Sequence, residues 1–159
     1  MSSNVIQMFK SNPYNIVSKQ CGNIKVEYSF DSGQVNIAGI ALRNRLYVSG
    51  WELSYTYQRI IKFMGMTGTA TCIVYNNNIP IAITVICKYT GNISSFTRKA
   101  ERNKGFGKLA IQTLLQAIEP NWLDMPVVGH NMGSLGCDKF FKKCGLDVEY
   151  NPRSKHYAK

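Results

Sequence analysis

Acidic residues are scarce in this chain, with 9 against 19 lysines and arginines and a formal charge of +10 over 159 residues. The excess is spread out, since residues 1–68 carry 7 basic and 3 acidic side chains, 98–108 carry 5 and 1, and 139–159 carry 6 and 2. A basic surface of this kind favours anionic partners such as nucleic acid, a phosphorylated cofactor or an acidic protein face, and it disfavours a strongly basic substrate. Histidine is also sparse. His130 and His156 alone are too few for a metal site, and none is expected. The five cysteines, Cys21, Cys72, Cys87, Cys137 and Cys144, are odd in number and form no C-x-x-C pair, which excludes a disulfide framework and a zinc ribbon and leaves small buried thiols. No apolar run approaches the roughly 18 residues of a membrane span, so no membrane partner is expected. The start, Met1-Ser2-Ser3-Asn4, lacks a charged and then apolar leader, so the expected location is the cytoplasm. No G-x-S-x-G elbow, H-E-x-x-H pair, P-loop signature or internal repeat occurs.

What is present fits one domain over residues 1–159, a length that buries about two thirds of the unfolded surface. Residues 1–22, broken by Asn12-Pro13, read as an arm or as short irregular elements. Ile24 to Phe30 alternates as a strand, Asp31-Ser32-Gly33 supplies a turn, and Gln34 to Leu42 resumes a strand pattern, so a hairpin is expected there. From Trp51 to Met66 the residues Leu53, Tyr57, Ile60, Ile61 and Met64 recur at helical spacing, with Ser49 as a possible cap. A second hairpin, Thr69 to Tyr75 and Ile79 to Lys88, turns at Asn76-Asn77-Asn78, residues that tolerate a left-handed backbone. Ile93 to Thr97 reads as a strand, Lys108 to Ile118 as a helix ended by Pro120, and Met125 to Gly129 as a strand. A helix carrying Cys137, Phe140, Phe141 and Cys144 follows, and a basic tail closes the chain.

The densest chemistry lies in Arg102-Asn103-Lys104-Gly105-Phe106-Gly107, between a strand and a helix and beside Lys108. Two glycines permit close approach of the backbone, and the helix start presents unpaired amides and a positive dipole end. Those are the components of a pyrophosphate cradle.

This segment resembles the acyl-CoA-binding motif of the GNAT superfamily of N-acetyltransferases, with Arg102, Gly105 and Gly107 matching its pattern of Arg or Gln, two residues, Gly, one residue, then Gly or Ala. A second matching stretch is Asn131, followed by Phe140-Phe141-Lys142-Lys143-Cys144-Gly145-Leu146, and the likeness spans about 69–148, leaving 1–68 poorly matched and 149–159 as the tail. The resemblance implies an α/β fold of the α+β kind: a central, mixed, mostly antiparallel sheet flanked by helices, with the fourth and fifth strands splayed. It implies acetyl-CoA or another acyl-CoA as cofactor and transfer of the acyl group to a primary amine, possibly on an anionic carrier such as RNA, DNA or an acidic protein. Carried over, Phe96, Thr97 and Arg98 line the pantetheine arm, Arg102, Asn103, Lys104, Gly105, Phe106, Gly107 and Lys108 hold the phosphates, and Asn131 and Phe141 complete the cofactor site.

Candidate catalytic groups are His130, at the end of the strand beside the splay and suited to proton transfer near neutrality, Glu52 at the head of a helix bordering the groove, and Ser134. Glu101 reads as a partner that orients neighbouring cations. The tyrosine that commonly serves as general acid in the family aligns with Phe141, which has no proton to give. That departure leaves open a GNAT-fold module that binds nucleic acid or protein without transferase activity, or a nucleobase-modifying enzyme similar to the Mom-type proteins. The aromatic and basic mixture of Arg43, Arg45, Tyr47, Trp51, Tyr55, Tyr57 and Arg59 offers rings and cations to a nucleic-acid strand, or else a helix face with core and rim.

Overall fold

The computed structural model describes residues 7–11, 16–30, 36–48, 55–130, 142–143, 145 and 148–149. One eight-stranded sheet runs in the order of the chain: β1 (Gln7–Ser11), β2 (Ile16–Cys21), β3 (Ile24–Phe30), β4 (Thr69–Asn76), β5 (Ile79–Cys87), β6 (Asn92–Thr97), β7 (Val128–His130) and β8 (Val148–Glu149). Strands β1 to β6 pair antiparallel, whereas β6 with β7 and β7 with β8 pair parallel. Helices α1 (Ile37–Val48) and α2 (Tyr55–Met64) cover one face, and α3 (Phe106–Ala117) covers the other. This is the mixed, mostly antiparallel, helix-flanked α/β architecture expected of a GNAT-like chain. Two strands precede β3, so the pair expected to splay as fourth and fifth is here β6 and β7.

Alternation along the central strands sorts their side chains between two cores. Ile73, Ile83, Val85 and Phe96 face α1 and α2, where Leu42, Leu46, Ile60, Ile61 and Met64 complete a cluster. Ala70, Cys72, Val74, Ile86 and Ile93 face α3, against Ala110, Ile111 and Leu114. Burying a side chain of the size of Ile or Leu contributes roughly 1.5–3 kcal/mol, so β4 and β5, buried on both faces, are the stable centre of the domain.

Two expectations are corrected. Within 1–22 the described residues are strands rather than irregular elements, because β1 and β2 extend the sheet in antiparallel register, Met8 opposite Lys19 and Val17 opposite Tyr28. The expected hairpin of 24–30 with 34–42 is absent, because the chain enters α1 at Ile37. Asn36 caps that helix, its Oδ1 accepting from the Gly39 amide at 2.9 Å. Its Nδ2 donates to the carbonyls of Met64 (3.0 Å) and Met66 (2.9 Å), tying the start of α1 to the end of α2. Ala38, Leu42 and Leu46 then recur every fourth residue on the buried side, a helical stripe. Gly39 obscures that stripe in the sequence. A methyl group there would overlap the Met64 carbonyl oxygen, so the close crossing of the helices explains a residue that otherwise weakens a helix.

Smaller shifts follow the same physics. Helix α2 spans Tyr55–Met64 within the expected 51–66, α3 begins two residues early at Phe106, and β7 lies at Val128–His130. The hairpin of β4 and β5 forms as read, with Asn77 and Asn78 at φ 51° and 65°. The expected helix of 137–144 lies outside the described residues apart from Lys142 and Lys143, and Ser49 lies outside them altogether.

Candidate functional site

Strand β6 is held along its whole length on one side and only at its base on the other. Against β5 the register runs from Ile93 opposite Ile86 to Thr97 opposite Ala82. Against β7 the described pairs are Asn92 with Val128 and Ile93 with Gly129, and the next residue, His130, pairs with Glu149 of β8 instead. From Ser94 onward the far edge of β6 has no strand partner among the described residues. Unpaired backbone groups along such an edge need other partners, which makes it a place for an extended ligand.

The chain then turns through the glycine segment. The Arg98 amide still donates to the Ile81 carbonyl (2.9 Å), and a single 3-10 turn, Lys99–Glu101, follows. Asn103 has φ 65° and Gly105 φ 88°, so the backbone is left-handed twice before α3 begins. Gly105 occupies the N-cap position of α3 without a side-chain cap. It is exposed, and no atom lies within 4 Å of where a Cβ would stand. The amides of Phe106, Gly107 and Lys108 have no partner within the helix and lie at the positive end of its 12 residues. Gly107 is buried, and half-buried Phe106 packs on the α3 core, so those two anchor the turn while Gly105 keeps its surface clear.

The surrounding cations are placed by short local contacts. Arg102 donates through Nε to the Thr97 carbonyl (3.0 Å), and its guanidinium lies 5.5 Å from the centre of the Phe96 ring. Lys104 reaches Glu101 at 3.4 Å, the orienting role expected of that carboxylate. Lys104 and Lys108 are exposed. Phe96 is buried in the core under α1 and α2, so its ring belongs to that core.

The structure thus gathers Thr97, Arg98, Arg102, Asn103, Lys104, Gly105, Phe106, Gly107 and Lys108 at one mouth. The backbone of His130 stands beside the point where β6 and β7 part, and its side chain lies outside the described residues. Glu52, Asn131, Ser134 and Phe141 also lie outside them. Among the described residues, no group of three metal-ligating side chains occurs and no helix is long and apolar enough to cross a membrane.

Sequence reasoning passed over Asn92 and Ser94. Both precede Phe96 at even spacing on β6, which sets them on the face under α1 and α2 at the joint with β7. The Asn92 Oδ1 is buried without a hydrogen-bond partner among the described residues, and Ser94 is buried. The available signal was the strand alternation of Asn92-Ile93-Ser94-Ser95-Phe96, in which polar residues take positions that would otherwise be apolar.

A second polar cluster was also missed. Glu27, buried on β3, accepts from Tyr75 Oη at 2.6 Å and from the Arg45 guanidinium. Burial pushes the Tyr75 phenol up, and the Glu27 carboxylate adds to the shift. This cluster fixes α1 to β3 and β4 and takes Arg45 out of the mixture offered for strand binding. Tyr47 stays exposed, Trp51 lies outside the described residues, and so do the side chains of Tyr55, Tyr57 and Arg59.

No family model and no curated protein matches the chain. Among solved structures it is similar to a protein of unknown function from meticillin-resistant Staphylococcus aureus described as a probable acetyltransferase, at 13% identity and a TM-score of 0.44 over 81% of this chain and 94% of that one. It is also similar to the ribosomal-protein-S5-alanine acetyltransferase of Vibrio fischeri, at 16% identity and a TM-score of 0.36 over 89% of this chain and 78% of that one.

Proposed function

We propose that the chain is an acyltransferase that moves an acetyl or related acyl group from acyl-CoA to a primary amine, with an amine borne on an anionic carrier as the acceptor its charge favours. The observation that supports it most is that β6, whose described pairing with β7 ends at Ile93, runs directly into the open Gly105 turn. An extended, hydrogen-bonding arm ending in a diphosphate fits that path. The donor set also fits, with uncapped amides and exposed Lys104 and Lys108 for the phosphates and strand backbone for the arm.

When bound, acyl-CoA supplies an activated thioester. The chain's own work is then to orient the amine, take up its proton and exclude water. His130 stands at the mouth of the split, where an imidazole accepts a proton near neutral pH. Glu52 and Ser134 are the other groups proposed for proton handling. Asn92 Oδ1, an acceptor beside the joint without a partner among the described residues, is suited to hold an amine N–H.

Calorimetric titration with acetyl-CoA tests the reading. Binding in the micromolar range, weakened at least tenfold in Gly105→Val, is the expected result, and no binding to the folded wild-type chain defeats it. Phe141 in place of a tyrosine favours a second reading, a GNAT-fold binding module without transfer chemistry. Acetyl-CoA bound but never consumed in the presence of a panel of amines would select it.

A further inference from the structure

Three turns meet at one end of the sheet. The β2–β3 turn is joined to the β4–β5 turn by the Asn77 amide donating to the Asn23 carbonyl (2.9 Å), and β5 is joined to the start of the glycine segment by the Arg98–Ile81 bond. Along this end stand Lys19, Lys25, Arg98, Lys99, Arg102 and Lys104. The lysines of β2 and β3 flank this end on the two faces of the sheet, Lys19 Nζ at 5.4 Å from the Tyr28 ring centre on the α3 side and Lys25 Nζ at 4.6 Å from that of Tyr75 on the α1 and α2 side. The acids at this end among the described residues are already engaged, Glu27 by Arg45 and Glu101 by Lys104. The opposite end differs. There Lys88 is paired with Asp124 at 2.7 Å, and Glu119 follows α3.

A cofactor diphosphate seated on the glycine turn has no use for Lys19 and Lys25. Neighbouring strands lie about 4.8 Å apart, so β2 stands roughly 19 Å from β6, a span of about three phosphates at the roughly 6 Å spacing of an extended single strand. Exposed Asn23, Asn77 and Asn78 between the cations offer amides to unpaired base edges. Tyr47, two residues past the Arg45 that Glu27 holds, is 54% exposed and offers a ring for stacking.

We infer that this end of the sheet binds single-stranded nucleic acid through its phosphodiester backbone. The binding stands apart from the acyl-CoA reading, and only its use to dock an amine carrier rests on that reading. A flexible phosphodiester strand can pass over the end of the sheet and meet cations on both faces, with amides and a ring between them, which favours nucleic acid over a rigid acidic protein surface.

The test is fluorescence anisotropy of a labelled 20-nucleotide strand with the full chain, from 50 to 200 mM salt. With about three contacts, log K is expected to fall against log salt with a slope near −2, and each lost contact lowers the magnitude of that slope by about 0.7. Lys19→Glu and Lys25→Glu are each expected to weaken binding at least fivefold. Lys62→Glu, the same change of charge on an exposed position near the end of α2, is expected to change it less than twofold. Equal losses in all three reduce the effect to net charge and overturn the proposal, as does absence of binding at 50 mM salt. Displacement of the strand by polyglutamate as readily as by unlabelled strand overturns it in favour of an acidic protein partner. Calorimetry with acetyl-CoA on the same variants separates the two readings, because Lys19→Glu and Lys25→Glu leave the glycine turn intact. Strand binding that discriminates among the variants in a chain that never binds acetyl-CoA leaves this surface standing and removes the acyltransferase.

Discussion

The two sides of β6 show how one strand serves both stability and access. On the β5 side an uninterrupted ladder is backed by apolar packing on both faces of the sheet, including fully buried Ile83 and Ile86. On the β7 side two residue pairs form the described joint, and beyond it β6 has no strand partner among the described residues. A half-free edge without a rigid partner would fray or recruit a foreign strand, so the closed side is what allows the open side to persist.

The largest effect is expected from attacking the closed side. Ile83→Ala empties a site with no solvent exposure opposite Phe96, and should cost about 3 kcal/mol, seen as a fall of roughly 10 °C in thermal midpoint. Acetyl-CoA affinity per folded molecule should change little at low temperature. A comparable fall is expected from Gly91→Ala at the joint. Gly91 has φ 73°, a methyl group there would overlap the Pro126 carbonyl oxygen, and its own carbonyl accepts from Val128 at 2.9 Å. Left-handed strain and overpacking together cost on the order of 3 kcal/mol. Here ligand binding should fail along with stability, because the point from which β6 and β7 part is displaced. A midpoint within 2 °C of wild type would show that the joint does not set the split.

These same residues mark what was legible beforehand. The hairpin of β4 and β5 was readable because β-branched runs flank an asparagine turn, and the glycine segment was readable because Gly105 and Gly107 stand between a strand and a helix. Helix α1 was not, because Gly39 breaks its pattern for the sake of the crossing with α2. Strands β1 and β2 were hidden because they are short, polar and punctuated, and their register is set by β3 rather than by local preference. Nor does single-sequence alternation reveal that Glu27, Tyr75 and Arg45 converge, since β3, β4 and α1 are brought together only by tertiary packing.

Tyr75 sharpens the comparison from the closed side, where it pairs with Pro80 of β5 at the irregularity of the ladder. Tyr75→Phe leaves Glu27 Oε1 without its donor at a cost of about 1–2 kcal/mol. The pH profile should change as well. Because the folded phenol is raised above its ordinary value of 10.0, its contribution is present below pH 10 and is lost as pH rises beyond it. The variant should therefore lose stability less steeply than wild type above pH 10. Some decline should remain, because the buried Cys72 thiol is raised from 9.0 in the same sense. Urea titrations at pH 8 and pH 10.5 measure the difference, and parallel losses in the two proteins would remove Tyr75 as the titrating group.

The smallest effect on stability and the most selective effect on function are expected at the open side. Gly105→Ala meets no neighbouring atom, so its folded-state cost is the left-handed backbone alone, about 1 kcal/mol or a fall of 2–4 °C. That modest loss is itself diagnostic, because it means the native turn leaves this position unfilled. If a diphosphate sits on the amides of the α3 start, even a methyl group there stands in its path, and acetyl-CoA affinity should fall severalfold, out of proportion to the stability change. Equal affinity in Gly105→Ala and wild type, measured by calorimetry on fully folded samples, would place the phosphates elsewhere and detach the open edge of β6 from the glycine turn.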